Sequence, residues 1–224
     1  MVLKYYFDLL SQPSRALKIF LSVNKIPHES CQVALRKGEH KQEPYLSVNR
    51  FGRVPAIDDD GFKLSESVAI VRYLSSKYNV PNNWYPKDIK SQAAVDEFLE
   101  WHHLDLRLGC AMYFQTRVLK PMLTGKPPSE KSLAMFTERM NTSLDNVENL
   151  WLSDGRPYLT GNQISAADVF AACEIEQVAF GGHDPTKGRP KLGVWLERVR
   201  KDLSPHYQET HKYLEKLQAT MSKL

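Results

Sequence analysis

A segment rich in proline and asparagine, residues 79–87, divides the chain into two parts with different hydrophobic periodicity. Before it, short apolar strand patterns alternate with helical patterns. After it, every periodic segment is helical. This contrast predicts two domains, residues 1–80 and 89–224, joined by a linker over 81–88. The length of 224 residues is sufficient for both.

The first 80 residues predict a mixed sheet with helices packed against it, in the order β-α-β-(α)-β-β-α. An aromatic strand over 3–7 precedes a helix that begins near Pro13, whose fixed φ suits a first helical turn. A second strand over 28–35 and a hairpin over 54–64 follow. The serines around Glu66 then open a second helix.

The rest of the chain predicts helices only. A long helix with one apolar face ends by Pro121, a second helix covers 130–152 and a third covers 165–180. A fourth helix contains Trp195, and a last one follows Ser204-Pro205. The C-terminal domain is therefore predicted to be all-α.

The third helix has the best-defined start. Ser165 and Asp168 have the spacing of a capping box, with Asp in place of the more usual Glu. Ile164 and Val169 occupy the two positions of a hydrophobic staple. Together these residues predict that the helix begins directly after Ser165.

Composition excludes several classes of protein. The chain is 42% hydrophobic and 25% charged, as ordinary globular proteins are. No apolar run approaches the ~18 residues of a membrane-spanning helix, and the first residues do not have the pattern of a secretory signal. Cys31, Cys110 and Cys173 lie too far apart for a dithiol, a disulfide scaffold or a metal site, which fits a reducing compartment.

The excess of positive charge lies in the first third of the chain. Residues 1–78 contain 12 Lys and Arg against 8 Asp and Glu, whereas the remainder contains 18 of each. A solvated surface and a binding site for a small anion both agree with this pattern. Nucleic acid is not expected as a partner, because no aromatic-basic stripe accompanies the charge.

Four motifs occur in order along the chain: Ser11-Gln12-Pro13-Ser14-Arg15, Arg53-Val54-Pro55, Ser65-Glu66-Ser67 and Ile164-Ser165-Ala166-Ala167-Asp168. Together they resemble those of cytosolic glutathione transferases, most closely the theta class. The resemblance covers essentially the whole chain. It implies the glutathione transferase fold, with an α/β thioredoxin-like N-terminal domain that binds glutathione and an all-α C-terminal domain that holds the hydrophobic co-substrate.

The resemblance also implies an activity. Glutathione would be a co-substrate, with no separate cofactor or metal, and its thiolate would attack small electrophiles or organic hydroperoxides. A cytoplasmic homodimer without nucleic-acid or membrane partners is implied as well. A non-catalytic adaptor of the same fold and a carrier of hydrophobic ligands are the two alternatives to an enzyme.

The resemblance assigns catalysis to Ser11, whose hydroxyl would donate a hydrogen bond to the glutathione sulfur. Simple capping of the following helix is the alternative role for this serine. Tyr6 is its rival, because other classes of the family use a tyrosine from this strand. Arg107 would further stabilise the thiolate, unless it forms a salt bridge with His103 or Asp105 in its own helix.

Glutathione itself would be bound by residues of the first domain. A cis bond between Val54 and Pro55 would present the Val54 backbone to the cysteinyl residue of the tripeptide, although a proline at a strand start would explain the same sequence. Glu66 and Ser67 would bind the γ-glutamyl end at a helix N-terminus, where capping is the simpler role. Gln12 would add a polar contact there.

Basic residues would bind the glycyl carboxylate, and apolar residues would bind the electrophile. The basic set is His40, Lys41 and Arg53, the last two of which would otherwise be interpreted as surface charge. The apolar set is Leu10, Cys110, Met112 and Phe114, any of which could instead be ordinary core.

The final tripeptide Ser222-Lys223-Leu224 matches a peroxisomal import signal. Peroxisomal import is therefore a hypothesis beside the cytoplasmic expectation.

Overall fold

The computed structural model describes residues 2–221, with side chains described through residue 215. The chain forms two compact units. The first consists of Met1–Tyr85 together with Leu203–Leu224, and the second is Pro86–Asp202.

Unit 1 is built on a four-stranded mixed sheet with the order β2-β1-β3-β4. Its strands are β1 (Leu3–Phe7), β2 (His28–Gln32), β3 (Ala56–Asp59) and β4 (Phe62–Ser65). The pair β1–β2 is parallel, whereas β1–β3 and β3–β4 are antiparallel. The predicted order of strands and helices in this part of the chain is confirmed.

Two helices connect these strands, a third follows β4, and a fourth comes from the end of the chain. They are α1 (Gln12–Val23), α2 (Tyr45–Val48), α3 (Ser67–Lys77) and α10 (His206–Met221). The last helix packs against α1, with Tyr207 and Leu214 almost fully buried. The sequence predicted that the helical domain continues to Leu224, whereas the described residues from 203 to 221 belong to unit 1.

Unit 2 is entirely helical apart from its loops. Its α-helices are α4 (Ile89–Leu104), α5 (Leu106–Phe114), α6 (Lys120–Thr124), α7 (Glu130–Asn146), α8 (Ala166–Phe180) and α9 (Pro190–Asp202). Helix α5 packs against both α7 and α8. Residues Gln115–Leu119 and Val147–Trp151 are π-helical continuations of α5 and α7.

The predicted single long helix of unit 2 differs from the structure at two places. The helix is interrupted at Asp105, whose φ of −107° and ψ of −82° are not helical. It also does not end by Pro121, since this proline is the second residue of α6, which follows the π-helical segment without a break. The helical run therefore reaches Thr124.

The capping box predicted at Ser165 and Asp168 is present at the start of α8. The Asp168 carboxylate is fully buried and accepts hydrogen bonds from the Ser165 amide at 2.9 Å, the Leu159 amide at 2.9 Å and the Trp195 indole at 2.8 Å. Burial raises the pKa of Asp168, against the effect of these donors. One carboxylate thus connects the start of α8 to the preceding loop and to α9.

The two-part architecture expected from the sequence, a thioredoxin-like α/β domain and an all-helical domain, is confirmed. Within residues 2–221, none of the helices combines the length and the apolar character needed to cross a bilayer. The described residues also contain no cluster of three or more His, Cys, Asp or Glu side chains suited to a metal ion.

Candidate active site

Ser11 lies at the junction of β1 and α1. Its backbone is extended, with φ −82° and ψ 124°, and its side chain makes no capping hydrogen bond. The hydroxyl oxygen instead lies 3.4 Å from the carbonyl oxygen of Val54. Because hydroxyl hydrogen bonds are usually ~2.7–2.8 Å long, this contact is weak and leaves the hydroxyl available to a stronger acceptor. Capping, the alternative role for Ser11, does not occur in the structure.

Buried charged groups hold the turn that carries Ser11. The side-chain carboxylate of Asp8 accepts a hydrogen bond from the Leu10 amide at 2.8 Å. The backbone carbonyl of Asp8 accepts one from the Ser11 amide at 3.0 Å. The guanidinium of Arg15, which is fully buried, donates to the carbonyl oxygens of Leu9 at 2.8 Å and Leu10 at 3.3 Å. The serine hydroxyl is therefore carried by a backbone whose position is fixed from two sides.

Tyr6, the rival of Ser11, belongs to a different cluster. Side chains alternate across a strand, so that Tyr5 is buried and donates to the Ser14 carbonyl at 2.5 Å, whereas Tyr6 faces the opposite side of the sheet. There its ring lies 5.9 Å from that of Tyr45. It lines an open cavity of about 610 Å³, and Ser11 is not among the described residues that line this cavity.

The surroundings of Tyr6 are acidic as well as partly apolar. Burial is the main cause that raises the pKa of Tyr6, and the thiolate form of Cys31 and the carboxylates of Asp58 and Glu29 act in the same direction. Since the pKa of Cys31 is itself raised, the two carboxylates are the negative charges near Tyr6 at physiological pH. An anionic ligand beside Tyr6 would meet the same unfavourable charge.

The bond between Val54 and Pro55 is cis, as the family resemblance implies. The preceding carbonyl, that of Arg53, accepts two short hydrogen bonds, from the Tyr45 hydroxyl at 2.5 Å and from the Asn49 side-chain amide at 2.6 Å. Burial raises the pKa of Tyr45 to about 12, so that its phenol is a neutral donor at physiological pH. The Val54 backbone therefore follows a firmly held carbonyl.

Two of the three predicted basic residues lie against the glycine that precedes the third. Gly52 has a φ of +57°, and a Cβ added there would lie 2.7 Å from the His40 carbonyl oxygen and 3.1 Å from the Lys41 side chain. His40 and Lys41 thus pack closely against Gly52, which directly precedes Arg53. Only glycine allows both this φ and this close approach.

The three residues differ in charge and exposure. Lys41 and Arg53 are exposed, whereas His40 is half-buried and its Nδ1 has no hydrogen-bond partner among the described residues. Burial, followed by the charge of Lys41, lowers the pKa of His40, while the charge of Asp8 opposes this change. The cluster of His40, Lys41 and Arg53 therefore contains two exposed cations and an imidazole whose neutral form is favoured.

Glu66 has an unfavourable backbone conformation at the start of α3. Its φ is +69° and its ψ is 107°, its side chain is exposed, and it makes no capping hydrogen bond. A non-glycine residue in such a region costs on the order of 1–3 kcal/mol, and such residues are concentrated at functional sites. With Ser67 as its first residue, α3 presents free backbone amides, which suits a carboxylate ligand.

Several predicted contact residues are more buried than a ligand-lining role requires. Cys110 and Phe114 are 0% and 2% exposed, as the core alternative predicts, and burial raises the pKa of the Cys110 thiol well above its usual value. Leu10 and Gln12 are also buried, at 6% and 9% exposed. Met112 is the partly exposed member of the apolar set.

Arg107 has a different partner from those considered in the sequence. Its Nη1 lies 3.3 Å from Oε1 of Glu174, which is 67 residues away on α8. The Glu174 side chain is 1% exposed, whereas that of Arg107 is 29% exposed. The ion pair therefore joins a buried carboxylate to a cation that still reaches solvent.

His102 contacts the same carboxylate. Its Nε2 lies 3.9 Å from Oε1 of Glu174, and both ring nitrogens are without a hydrogen bond among the described residues. Burial is the main cause that lowers the pKa of His102 to about 3, and the charge of Arg107 contributes. Since His102 is neutral at physiological pH, Arg107 is the cation paired with Glu174.

The sequence interpretation missed the residues that support this arrangement. Asp8, Arg15, Tyr45 and Asn49 hold the two turns at Ser11 and Val54, and Glu174 holds Arg107. Arg15 was visible as the end of a motif. Glu174 was visible as one of two glutamates, with Glu176, in a largely apolar helical pattern, but neither signal names the partner.

Two family models match this chain. The family descriptions "Glutathione S-transferase, N-terminal domain" and "Glutathione S-transferase, C-terminal domain" match residues 1–76 and 115–219. A similar protein is glutathione S-transferase theta-1 of Bos taurus, which is 41% identical over 215 residues, covering 96% of this chain and 89% of the relative.

Solved structures agree with the sequence comparisons. Human glutathione S-transferase T1-1 in its apo form superposes with a TM-score of 0.91 at 40% identity, covering 95% of this chain and 89% of that chain. A human theta-class transferase in complex with the glutathione conjugate of 1-menaphthyl sulfate has a TM-score of 0.94 at 37% identity, covering 100% and 91%.

Proposed function

Because the chain belongs to the glutathione S-transferase family, and within it to the theta class, we propose that it joins the thiolate of glutathione to small electrophiles. Ser11 is the proposed catalytic residue. The observation that supports this role is its hydroxyl, which makes no capping bond and has only a weak contact with Val54.

The catalytic effect would be on the ionisation of the substrate thiol. A free thiol has a pKa of about 8.5 and is ~3% ionised at pH 7, whereas a pKa of about 7 would leave half of it ionised. Donation of the Ser11 hydroxyl to the sulfur favours the anion, which is the nucleophile. Arg107 is proposed, from the family resemblance, as a second group that favours the thiolate.

The tripeptide would be bound along the edge of unit 1. The Val54 backbone, held through the Arg53 carbonyl, would pair with the cysteinyl residue. Glu66 would bind the α-ammonium, and the amides of α3 with Ser67 would bind the α-carboxylate of the γ-glutamyl residue, with Gln12 beside them.

The glycyl carboxylate would meet the cluster of His40, Lys41 and Arg53 around Gly52. This assignment gives a function to the positive charge of the first third of the chain. Two cations and a neutral imidazole donor suit a single carboxylate.

The electrophile would be bound by apolar residues of unit 2, of which Met112 is the partly exposed candidate. Organic hydroperoxides are proposed as further substrates, since a thiolate also attacks a peroxide oxygen. The proposed setting is detoxification by a cytoplasmic homodimer. The peroxisomal hypothesis depends on Ser222-Lys223-Leu224, which lies outside the described residues.

The direct test is Ser11→Ala assayed with glutathione and a panel of alkyl halides, aryl halides, epoxides and hydroperoxides. Loss of a ~1.5-unit shift in thiol pKa would lower turnover at pH 7 roughly 15-fold. The matched control is Ser14→Ala, which removes a buried hydroxyl that has no partner among the described residues. Unchanged turnover in Ser11→Ala, or a loss confined to Tyr6→Phe, would contradict the role of Ser11.

The same experiment separates the enzyme from its two alternatives. An adaptor would produce no thiolate absorbance when glutathione is added, and a carrier would bind apolar ligands without conjugating them. The full-length similarity to transferases does not favour either alternative.

A further inference from the structure

Asp8 joins two segments that are far apart in the sequence. Its Oδ1 accepts a hydrogen bond from the Leu10 amide at 2.8 Å, and its Oδ2 accepts one from the Leu35 amide at 2.9 Å. The residue is 4% exposed. Both oxygens of one buried carboxylate are thus occupied, one by the turn of Ser11 and one by the chain that follows β2.

The bond to Leu10 alone would have a simple explanation. An aspartate that accepts a hydrogen bond from the amide two residues later forms an Asx turn, which is common at strand ends. The bond to Leu35 is different, since it spans 27 residues and does not stabilise the turn at residues 8–10. It fixes the segment that begins at Leu35 relative to the turn that carries Ser11.

The segment that Leu35 begins is a compact unit of its own. It consists of two 3₁₀ turns, Leu35–Lys37 and Glu39–Lys41. Glu39 closes it by accepting a hydrogen bond from the Ala34 amide at 2.7 Å. The second turn ends with His40 and Lys41, so a bond that fixes the start of the segment also restrains these two basic residues.

The charge of Asp8 also reaches this segment. Asp8 acts to raise the pKa of His40, against the stronger effects of burial and Lys41. The carboxylate is therefore near the imidazole as well as bonded to the start of its segment.

We propose that Asp8 is a positioning residue that sets the separation between the thiol end and the glycyl end of bound glutathione. This inference rests on the proposed function, in which Ser11 contacts the sulfur and the cluster of His40, Lys41 and Arg53 contacts the glycyl carboxylate. Asp8 contacts neither end itself. It bonds the turn that carries Ser11 to the segment that carries His40 and Lys41.

The test compares glutathione with γ-glutamylcysteine, which lacks the glycyl residue. In Asp8→Asn, one carboxylate oxygen becomes an amide NH₂ that cannot accept a hydrogen bond, so the bridge is broken on one side. We expect the ratio of kcat/KM for glutathione to that for γ-glutamylcysteine to fall at least fivefold. This ratio does not depend on the fraction of folded enzyme, so it can be measured even in a destabilised variant.

Asp58→Asn is the matched control, because Asp58 also accepts a backbone hydrogen bond, from Gly61 at 2.8 Å, in a hairpin of the same sheet. It should leave the ratio unchanged. An unchanged ratio in Asp8→Asn, or an equal loss with both thiols, would overturn the inference and make Asp8 a purely structural residue.

Failure of the proposed function would be recognised separately. If the unmodified protein does not prefer glutathione over γ-glutamylcysteine, the glycyl cluster itself is wrong, and the inference falls with it. If Lys41→Ala lowers the preference but Asp8→Asn does not, the cluster stands and only the role of Asp8 is refuted.

Discussion

Replacing Arg107 by alanine should destabilise unit 2 in a way that depends on pH. The substitution removes the cation 3.3 Å from Glu174, whose side chain is 1% exposed. Removing one partner of a buried ion pair typically costs ~3–5 kcal/mol, because the remaining buried charge loses its counter-charge. Loss of stability, and not only loss of activity, is therefore expected of any Arg107 variant that lacks a cation.

The pH sets an upper limit on this cost. The variant can avoid a buried charge by binding a proton at Glu174. Protonating a glutamate with an ordinary pKa of about 4.3 costs ~1.36 kcal/mol for each pH unit above that pKa, which is ~3.7 kcal/mol at pH 7 and ~1.6 kcal/mol at pH 5.5. The destabilisation in Arg107→Ala should thus be about 3 kcal/mol at pH 7 and fall by about half at pH 5.5. Loss of the Arg107 charge also eases protonation of His102, which acts in the same direction.

Urea unfolding at the two pH values, followed by tryptophan fluorescence, measures this difference. Arg117→Ala is the control, since Arg117 is an exposed arginine in the π-helical segment that continues α5. In a Glu174→Gln background, Arg107→Ala should cost less than about 1 kcal/mol at either pH. A cost that is equal at pH 7 and 5.5, or that persists in the Glu174→Gln background, would refute the reasoning.

Two other predictions concern backbone conformation and a buried imidazole. Glu66→Gly should raise the free energy of unfolding by about 1 kcal/mol through relief of the positive φ, while weakening glutathione binding. In Lys25→Gly, where φ is also positive (52°), only the gain in stability should occur, and equal kinetic effects in both variants would contradict the reasoning. The pKa of His102 is about 3 in the folded protein and ~6.5 when unfolded, so its contribution to stability is complete above pH 6.5 and declines below it. The free energy of unfolding should fall by about 1.6 kcal/mol between pH 6.5 and 5, a loss that is absent in His102→Leu, and parallel pH profiles would exclude this origin.

The elements that the sequence predicted correctly are those whose signals are local. The start of α8 could be predicted because Ser165 and Asp168 satisfy each other's backbone amides within one helical turn. The hairpin of β3 and β4 was likewise determined by a turn and its flanking strands. The break at Asp105 could not be predicted, because the helical spacing of apolar residues continues across it. A single residue with a non-helical backbone does not change that spacing enough to be detected.

The partners of buried polar groups could not be predicted, since they lie far away in the sequence. Arg107 pairs with a glutamate 67 residues later, and Asp8 bonds an amide 27 residues later. Spacing within a helix suggested nearer partners for Arg107. A charged residue in a single sequence indicates that a partner is needed when it is buried, but not which residue supplies it.

The structure separates residues proposed to act on the ligand from residues that hold them in place. Ser11 makes one weak side-chain contact and Glu66 makes no capping bond, so their substitution should change activity more than stability. Arg15 and Tyr45 are buried and donate to backbone carbonyls, so their substitution leaves buried acceptors unsatisfied and should change both. A ligand group must keep hydrogen-bonding capacity free for the ligand, and this requires that other residues fix the backbone that carries it. The motifs of a single sequence therefore reveal the ligand groups more readily than the buried groups on which their geometry depends.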